Sequence, residues 1–272
     1  MKKKNYLISG VTLVEILIAI VIASIMMMAL FTSYNVVNNS YTQVSDRASI
    51  SRVNRNIISM MMKDIRMAGY VDINAQRFVD NSIQPILITK DKDDCDSIIM
   101  VYGDRILVGG VMEFPLYQVT YECKDSQIPN RREAPNQSGV YPTLDIFAIY
   151  KTKKKWNTGT LDWDDPSTDN NSATYPANLV VDYVEDLILN PIGEDGNIID
   201  PPPSPSQNSD MLNKIKAIDL GLIIRSTEEF YRNNKERTAF SLNDATRNIK
   251  ETDRFLRDTI TVTAYARNVG TN

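Results

Sequence analysis

Histidine is absent from all 272 residues, which removes Ser-His-Asp and Cys-His catalysis, His-ligated zinc and an imidazole pH switch. Carboxylates, lysines and two cysteines are left to do chemistry. Acidic clusters stand at Asp91, Asp93, Asp94 and Asp96, at Asp162, Asp164, Asp165 and Asp169, and at Glu194, Asp195, Asn197 and Asp200. None follows the calcium-loop pattern with its central glycine and closing glutamate. Solvated loops account for them better; Glu194, Asp195, Asn197 and Asp200 are the weak calcium candidates, and no other cofactor or metal is expected. No carboxylate spacing singles out an acid and base pair, and neither G-x-x-x-x-G-K-[ST] nor G-x-S-x-G occurs. No catalytic residue is assigned, and an enzyme is not expected.

Lys151, Lys153, Lys154 and Lys155 beside Trp156 make a basic and aromatic patch of the kind that single-stranded nucleic acid or an acidic partner surface prefers. The whole chain carries 30 basic against 34 acidic residues, a net charge of -4, so no global field favours nucleic acid as a partner. A charged hairpin tip is the plainer reading of the patch. Glu15 is the isolated carboxylate: it lies inside the apolar run from Val11 to Phe31, where an acidic residue near a helix centre costs about 2.5–3.5 kcal/mol on insertion scales. A carboxylate kept in such a place points to a cationic partner at the same depth.

Positions 1–10 read MKKKNYLISG, basic and free of acids, and the run that follows has 21 residues. At about 1.5 Å per residue a helix of that length spans roughly 31 Å, the thickness of a hydrocarbon core. The lysines place the N-terminus in the cytoplasm and the rest of the chain across the membrane. A secretory signal peptide shares the pattern but has a shorter apolar core and no internal acid. Cleavage between Gly10 and Val11 would create a positive α-amine four residues from Glu15.

The string SG/VTLVEILIAIVIA resembles a type IV prepilin leader: a short basic leader ending in Gly10, Glu15 fifth after the cut, then an unbroken apolar helix. Val11 stands where phenylalanine is usual. The resemblance implies a prepilin peptidase acting at Gly10 and Val11, N-methylation, and pairing of Glu15 with the amine of a neighbouring subunit. It further implies storage as a single-pass inner-membrane protein with a periplasmic C-terminal domain, then export into an extracellular pilus through the inner-membrane assembly platform. Asp64-Ile65-Arg66-Met67-Ala68-Gly69-Tyr70 is similar to the helix terminus of PilW-type minor pilins, as are three stretches beginning at Val184, Ile215 and Thr261 to segments farther along that family. The expected partners are other major and minor pilins. The alternatives are a type II secretion pseudopilin of the J type, a membrane-anchored binding domain that never polymerises and, weaker, a surface hydrolase using carboxylates.

Neither Gly nor Pro interrupts residues 11–68. After the apolar third, Val37, Tyr41, Val44, Ala48, Val53, Ile57, Met61, Ile65 and Ala68 recur at helical spacing. One helix over 11–68 is expected, packing on the rest of the chain from about residue 37 and stopped by a left-handed Gly69. Its segment 11–31 would be the membrane span or filament core.

Beyond it, Ile98 to Tyr102, Ile106 to Val111, Leu116 to Cys123, Leu144 to Tyr150, Ile215 to Ile224 and Thr259 to Ala266 read as strands, and Leu179 to Leu187 as a strand or a helical turn. Short loops favour an antiparallel sheet, so the expected fold is α+β with a β-rich pilin-like domain over 69–272. Cys95 and Cys123 lie 28 positions apart, at or near the ends of neighbouring candidate strands. In an oxidising compartment a disulfide is expected, contributing about 3–4 kcal/mol in the loop-entropy picture, with two buried thiols as the alternative.

Overall fold

A computed structural model describes residues 11–72, 83–91, 95–131, 133–166, 174–205, 209–241 and 245–269. The leader 1–10 with Gly10, and Asp93, Asp94 and Asp169, lie outside the described residues. The chain divides into two compact units, Met1–Ala48 and Ser49–Asn272. A single helix, α1 (Leu13–Met67), runs through the end of the first into the second.

The first unit is helix alone in its described part. Apart from half-buried Gln43, every residue from 11 to 49 is exposed. The expectation that packing begins near residue 37 is therefore corrected: Tyr41 is 73% and Val44 69% exposed, and burial starts at Ile50. Amphipathic spacing marks a face able to be buried; it does not say which surface covers it.

In the second unit, the helix buries Ile50, Asn54, Ile57, Ile58, Met61, Asp64 and Ile65, one stripe at spacings of three and four. That stripe lies on a sheet built from β1 (Ile86–Thr89), β2 (Ser97–Gly103), β5 (Leu116–Asp125), β6 (Phe147–Asn157), β8 (Tyr175–Ile192), β9 (Ala217–Glu229) and β12 (Phe255–Tyr265), hydrogen-bonded in that order, with β7 (Asp162–Trp163) added to β6. All pairings are antiparallel. Two separate hairpins complete the described strands: β3 (Ile106–Val108) with β4 (Val111–Glu113), and β10 (Lys235–Ala239) with β11 (Ile249–Asp253).

Alternation along the strands builds the core. Ile98, Met100 and Tyr102, then Tyr117, Val119 and Tyr121, then Ile218, Leu220, Leu222 and Ile224 join the helix stripe in one buried cluster. Each such side chain contributes about 1.5–3 kcal/mol by leaving water. The fold class is as expected, two local readings change, and of the two alternatives for Leu179 to Leu187 the strand is the one found. Ile106 to Val111 is a hairpin rather than one strand, because Gly109 and Gly110 take φ of 58° and 88° and turn the chain. Leu179 to Leu187 belongs to an 18-residue strand. The lysine patch lies inside strand β6 and not at a hairpin tip.

The helix stops as expected. Gly69 has φ +78°, its N–H donates to the Val101 carbonyl at 2.8 Å, and a Cβ there would lie 2.8 Å from the Asn268 carbonyl oxygen. Cys95 and Cys123 form a disulfide with Cα atoms 5.8 Å apart, tying the approach to β2 to β5. Gly69→Ala is expected to destabilise the second unit by about 1–3 kcal/mol, through φ strain and the Asn268 clash. Thermal unfolding of the full chain in detergent checks it; an unchanged midpoint would contradict the assignment.

Candidate functional site

The chemistry nearest the N-terminus is a carboxylate at the start of an apolar helix. Thr12 and Glu15 close on each other: the Thr12 N–H and Oγ1 donate to Glu15 Oε2 at 2.8 and 2.9 Å, and the Glu15 N–H donates to Thr12 Oγ1 at 3.3 Å. This reciprocal arrangement is a capping box and satisfies donors that a helix start otherwise leaves orphaned. The sequence reading missed this use of Glu15, although Thr12-Leu13-Val14-Glu15 carries the T-x-x-E signature. An intrachain role thus stands beside the intermolecular one expected for the charge.

Around Glu15 the helix is apolar and uncovered. Val11, Leu17, Ile20, Met27 and Phe31 are each more than half exposed. At about 1.5–3 kcal/mol per large side chain, burying this segment is worth tens of kcal/mol. The helix is long and apolar enough to cross a membrane by length and composition, a property compatible with membrane anchoring.

In the second unit, buried polar groups hold the helix to the sheet. Asp64 is buried; it accepts from the Tyr121 hydroxyl at 2.6 Å and pairs with Lys151 Nζ at 2.7 Å. Burial and that neighbouring carboxylate push the Tyr121 hydroxyl far above its ordinary range. Lys153 lies 4.0 Å over the Tyr117 ring, and burial lowers its pKa. Two of the four lysines in the basic patch are thereby engaged beneath the helix rather than offered to a ligand. Nearer the middle of α1, Ser51 and Asn54 donate to Asp258 of β12 at 3.4 and 3.2 Å.

A second network locks the far strands. Arg257 donates to Glu185 at 2.5 Å and to Asp253 at 2.7 and 2.9 Å. Glu185 stands where the β8 register shifts between Val184 and Asp186, so consecutive acids serve different partners. Asp186 pairs with Arg247, which also reaches Asp96 at 2.6 Å, while Asp96 accepts the Leu189 N–H at 2.7 Å. One guanidinium thus serves two buried carboxylates. Burial raises Asp96, and burial opposed by Arg247 raises Asp186 from an ordinary 3.8 to about 6.

The acidic clusters divide. Asp96 is consumed by Arg247, and Asp164 accepts from Asn157 at 2.8 Å. In the calcium candidate, Glu194 pairs with Lys216 at 3.1 Å, and Asp195 accepts from Asn197 at 2.7 Å. Among the described residues, three acidic, cysteine or histidine side chains nowhere converge as a metal would require.

No family model matches the chain, and no curated protein matches it. Among solved structures, a type IV-like pilin from Thermus thermophilus aligns with 81% of this chain and 98% of its own, at a TM-score of 0.50 and 11% identity. The fold is type IV pilin-like. Helix and antiparallel sheet agree with the architecture expected from sequence, and the likeness carries the fold alone.

Asp186 sets a pH dependence. Between about pH 4 and 6 the folded chain holds a proton on Asp186 that the unfolded chain has released, so stability falls as pH rises through this window, by at most about 3 kcal/mol. Asp186→Asn is expected to flatten that fall. Thermal midpoints of the full chain between pH 4 and 7 check it, and parallel curves for wild type and variant would contradict it.

Proposed function

We propose that the chain is a structural subunit of a type IV pilus, a PilW-like minor pilin that enters or primes the filament. The observation that carries this reading is the helix around Glu15, oily on every side and uncovered through residue 49, joined to a pilin-like sheet domain. A leader cut between Gly10 and Val11 frees an amine beside Glu15 of an adjoining subunit. Pairing the two charges at membrane depth fixes axial register, and neighbouring helices bury the apolar surface. Before assembly the same segment anchors the chain in the inner membrane, with the sheet domain on the periplasmic side. Prepilin peptidase, the assembly platform and other pilins are the partners this route needs.

A second reading is favoured by the capping box. If Glu15 serves only Thr12, the helix is a plain anchor for a domain that never polymerises.

The two readings separate by substitution. Glu15→Gln keeps a capping-box side chain and removes the charge, whereas Thr12→Val breaks the box and keeps it. The filament reading expects Glu15→Gln to reduce incorporation into surface fibres at least about tenfold, since an unpaired buried amine costs more than 1.4 kcal/mol. Thr12→Val should incorporate nearly as wild type. Immunoblots of sheared fibres against membranes make the comparison; wild type and both variants confined to membranes at equal levels would support the anchor.

A further inference from the structure

Strand β12 closes one end of the main sheet order. Its inner edge is fully used: Arg257 through Tyr265 pair with β9, and the Ala266 N–H donates to the Lys216 carbonyl at 2.9 Å. In an antiparallel ladder consecutive residues alternate between bonding the partner and bonding away from it. Ala266, Ala264, Val262 and Ile260 therefore address β9. Thr259, Thr261, Thr263 and Tyr265 hold their backbone N–H and C=O groups toward the outer edge, and no described strand pairs with it. Such an edge is a template for a further strand.

The side chains beside this edge form a groove of about 610 Å³ between α1 and β12. Ile58, Met62, Met67, Ile260 and Val262 give it an apolar floor. Arg55, Lys63 and Arg66 rim it, all three exposed, and no acidic side chain lines it. Among the described residues, none of these three cations takes part in an ion pair. The usual protections of an edge, a proline or a charge within the strand turned outward, are missing from the run Thr259-Ile260-Thr261-Val262-Thr263-Ala264-Tyr265.

We propose that the β12 edge and its cationic groove receive an extended, acidic segment of another protein, which adds a strand to the sheet. Main-chain bonds to the outward groups of Thr261 and Thr263 supply the pairing, aliphatic side chains of the guest cover the groove floor, and its carboxylates meet Arg55, Lys63 and Arg66. Charge selects the guest: a basic segment would place like charges against the rim. This surface goes beyond the proposed filament role, because it depends on neither Glu15 nor a cut at Gly10.

The test uses the full chain in detergent and two fluorescent peptides, Glu-Thr-Val-Thr-Val-Thr-Glu and Lys-Thr-Val-Thr-Val-Thr-Lys. Fluorescence anisotropy is expected to show the acidic peptide binding at least about tenfold tighter than the basic one at low salt, a preference that 0.5 M salt erodes. Thr261→Pro removes an outward donor while sparing the β9 ladder and is expected to abolish binding, with circular dichroism confirming the fold. Should that variant misfold, Arg55→Glu with Lys63→Glu and Arg66→Glu alters only exposed helix side chains and is expected to reverse the peptide preference. Equal binding of both peptides, no binding of either, or a preference unmoved by the triple variant would overturn the proposal. Sedimentation showing dimers that Thr261→Pro dissolves, with no peptide binding, would give the edge to a second copy and overturn it equally.

Discussion

A helix that is apolar around its whole circumference, as α1 is through Phe31, cannot be a stable surface in water, and among the described residues nothing covers residues 11 to 31. In the proposed role, tens of kcal/mol of burial come from outside the molecule, from lipid or from other helices. The arrangement of polar groups follows from that constraint. Thr12 and Glu15 finish the helix start internally, so the segment reaches an apolar environment with its first donors satisfied. The charge on Glu15 is more than capping needs, since Gln serves a capping box as well, and that surplus gives a neighbouring cation its meaning.

The second unit answers the opposite demand, holding a solvated sheet and one helix face in a single register. Apolar stripes alone leave sliding cheap, because Ile and Leu pack acceptably in several alignments. Buried polar contacts narrow the choice. Asp64 can meet Tyr121 and Lys151 at one position of α1 only, and Asp258 meets Ser51 and Asn54 three turns earlier. Arg247 and Arg257 do the same for β8 against its neighbours, and the Cys95–Cys123 disulfide fixes β5 to the approach to β2. The cost is excess negative charge around Arg247, where two carboxylates share one guanidinium.

How much of this was legible in the sequence depended on the range of the signal. The unbroken run without Gly or Pro, the left-handed Gly69, most of the alternating strands and the paired cysteines are local or compositional, and those readings agree with the structure, whereas Ile106 to Val111 is split by Gly109 and Gly110. The capping box was missed although it is local as well, its four residues being contiguous. By contrast, Arg247 meets Asp96 across 151 positions and Asp64 meets Tyr121 across 57. Spacing carries no trace of such partners, so Asp96 read as part of a solvated cluster and Lys151 as part of a hairpin tip. The start of packing was misplaced for a related reason: Val37, Tyr41 and Val44 show helical period, but period does not name the surface that a stripe meets.

The account rests on the oily segment being handed from lipid to neighbouring helices after a cut that frees an amine. Mass spectrometry of the native polypeptide in sheared surface fibres and in membranes measures that transfer directly. The account predicts a fibre-borne form beginning at Val11 and lacking the first ten residues. A chain found only in membranes and still beginning at Met1 would contradict it.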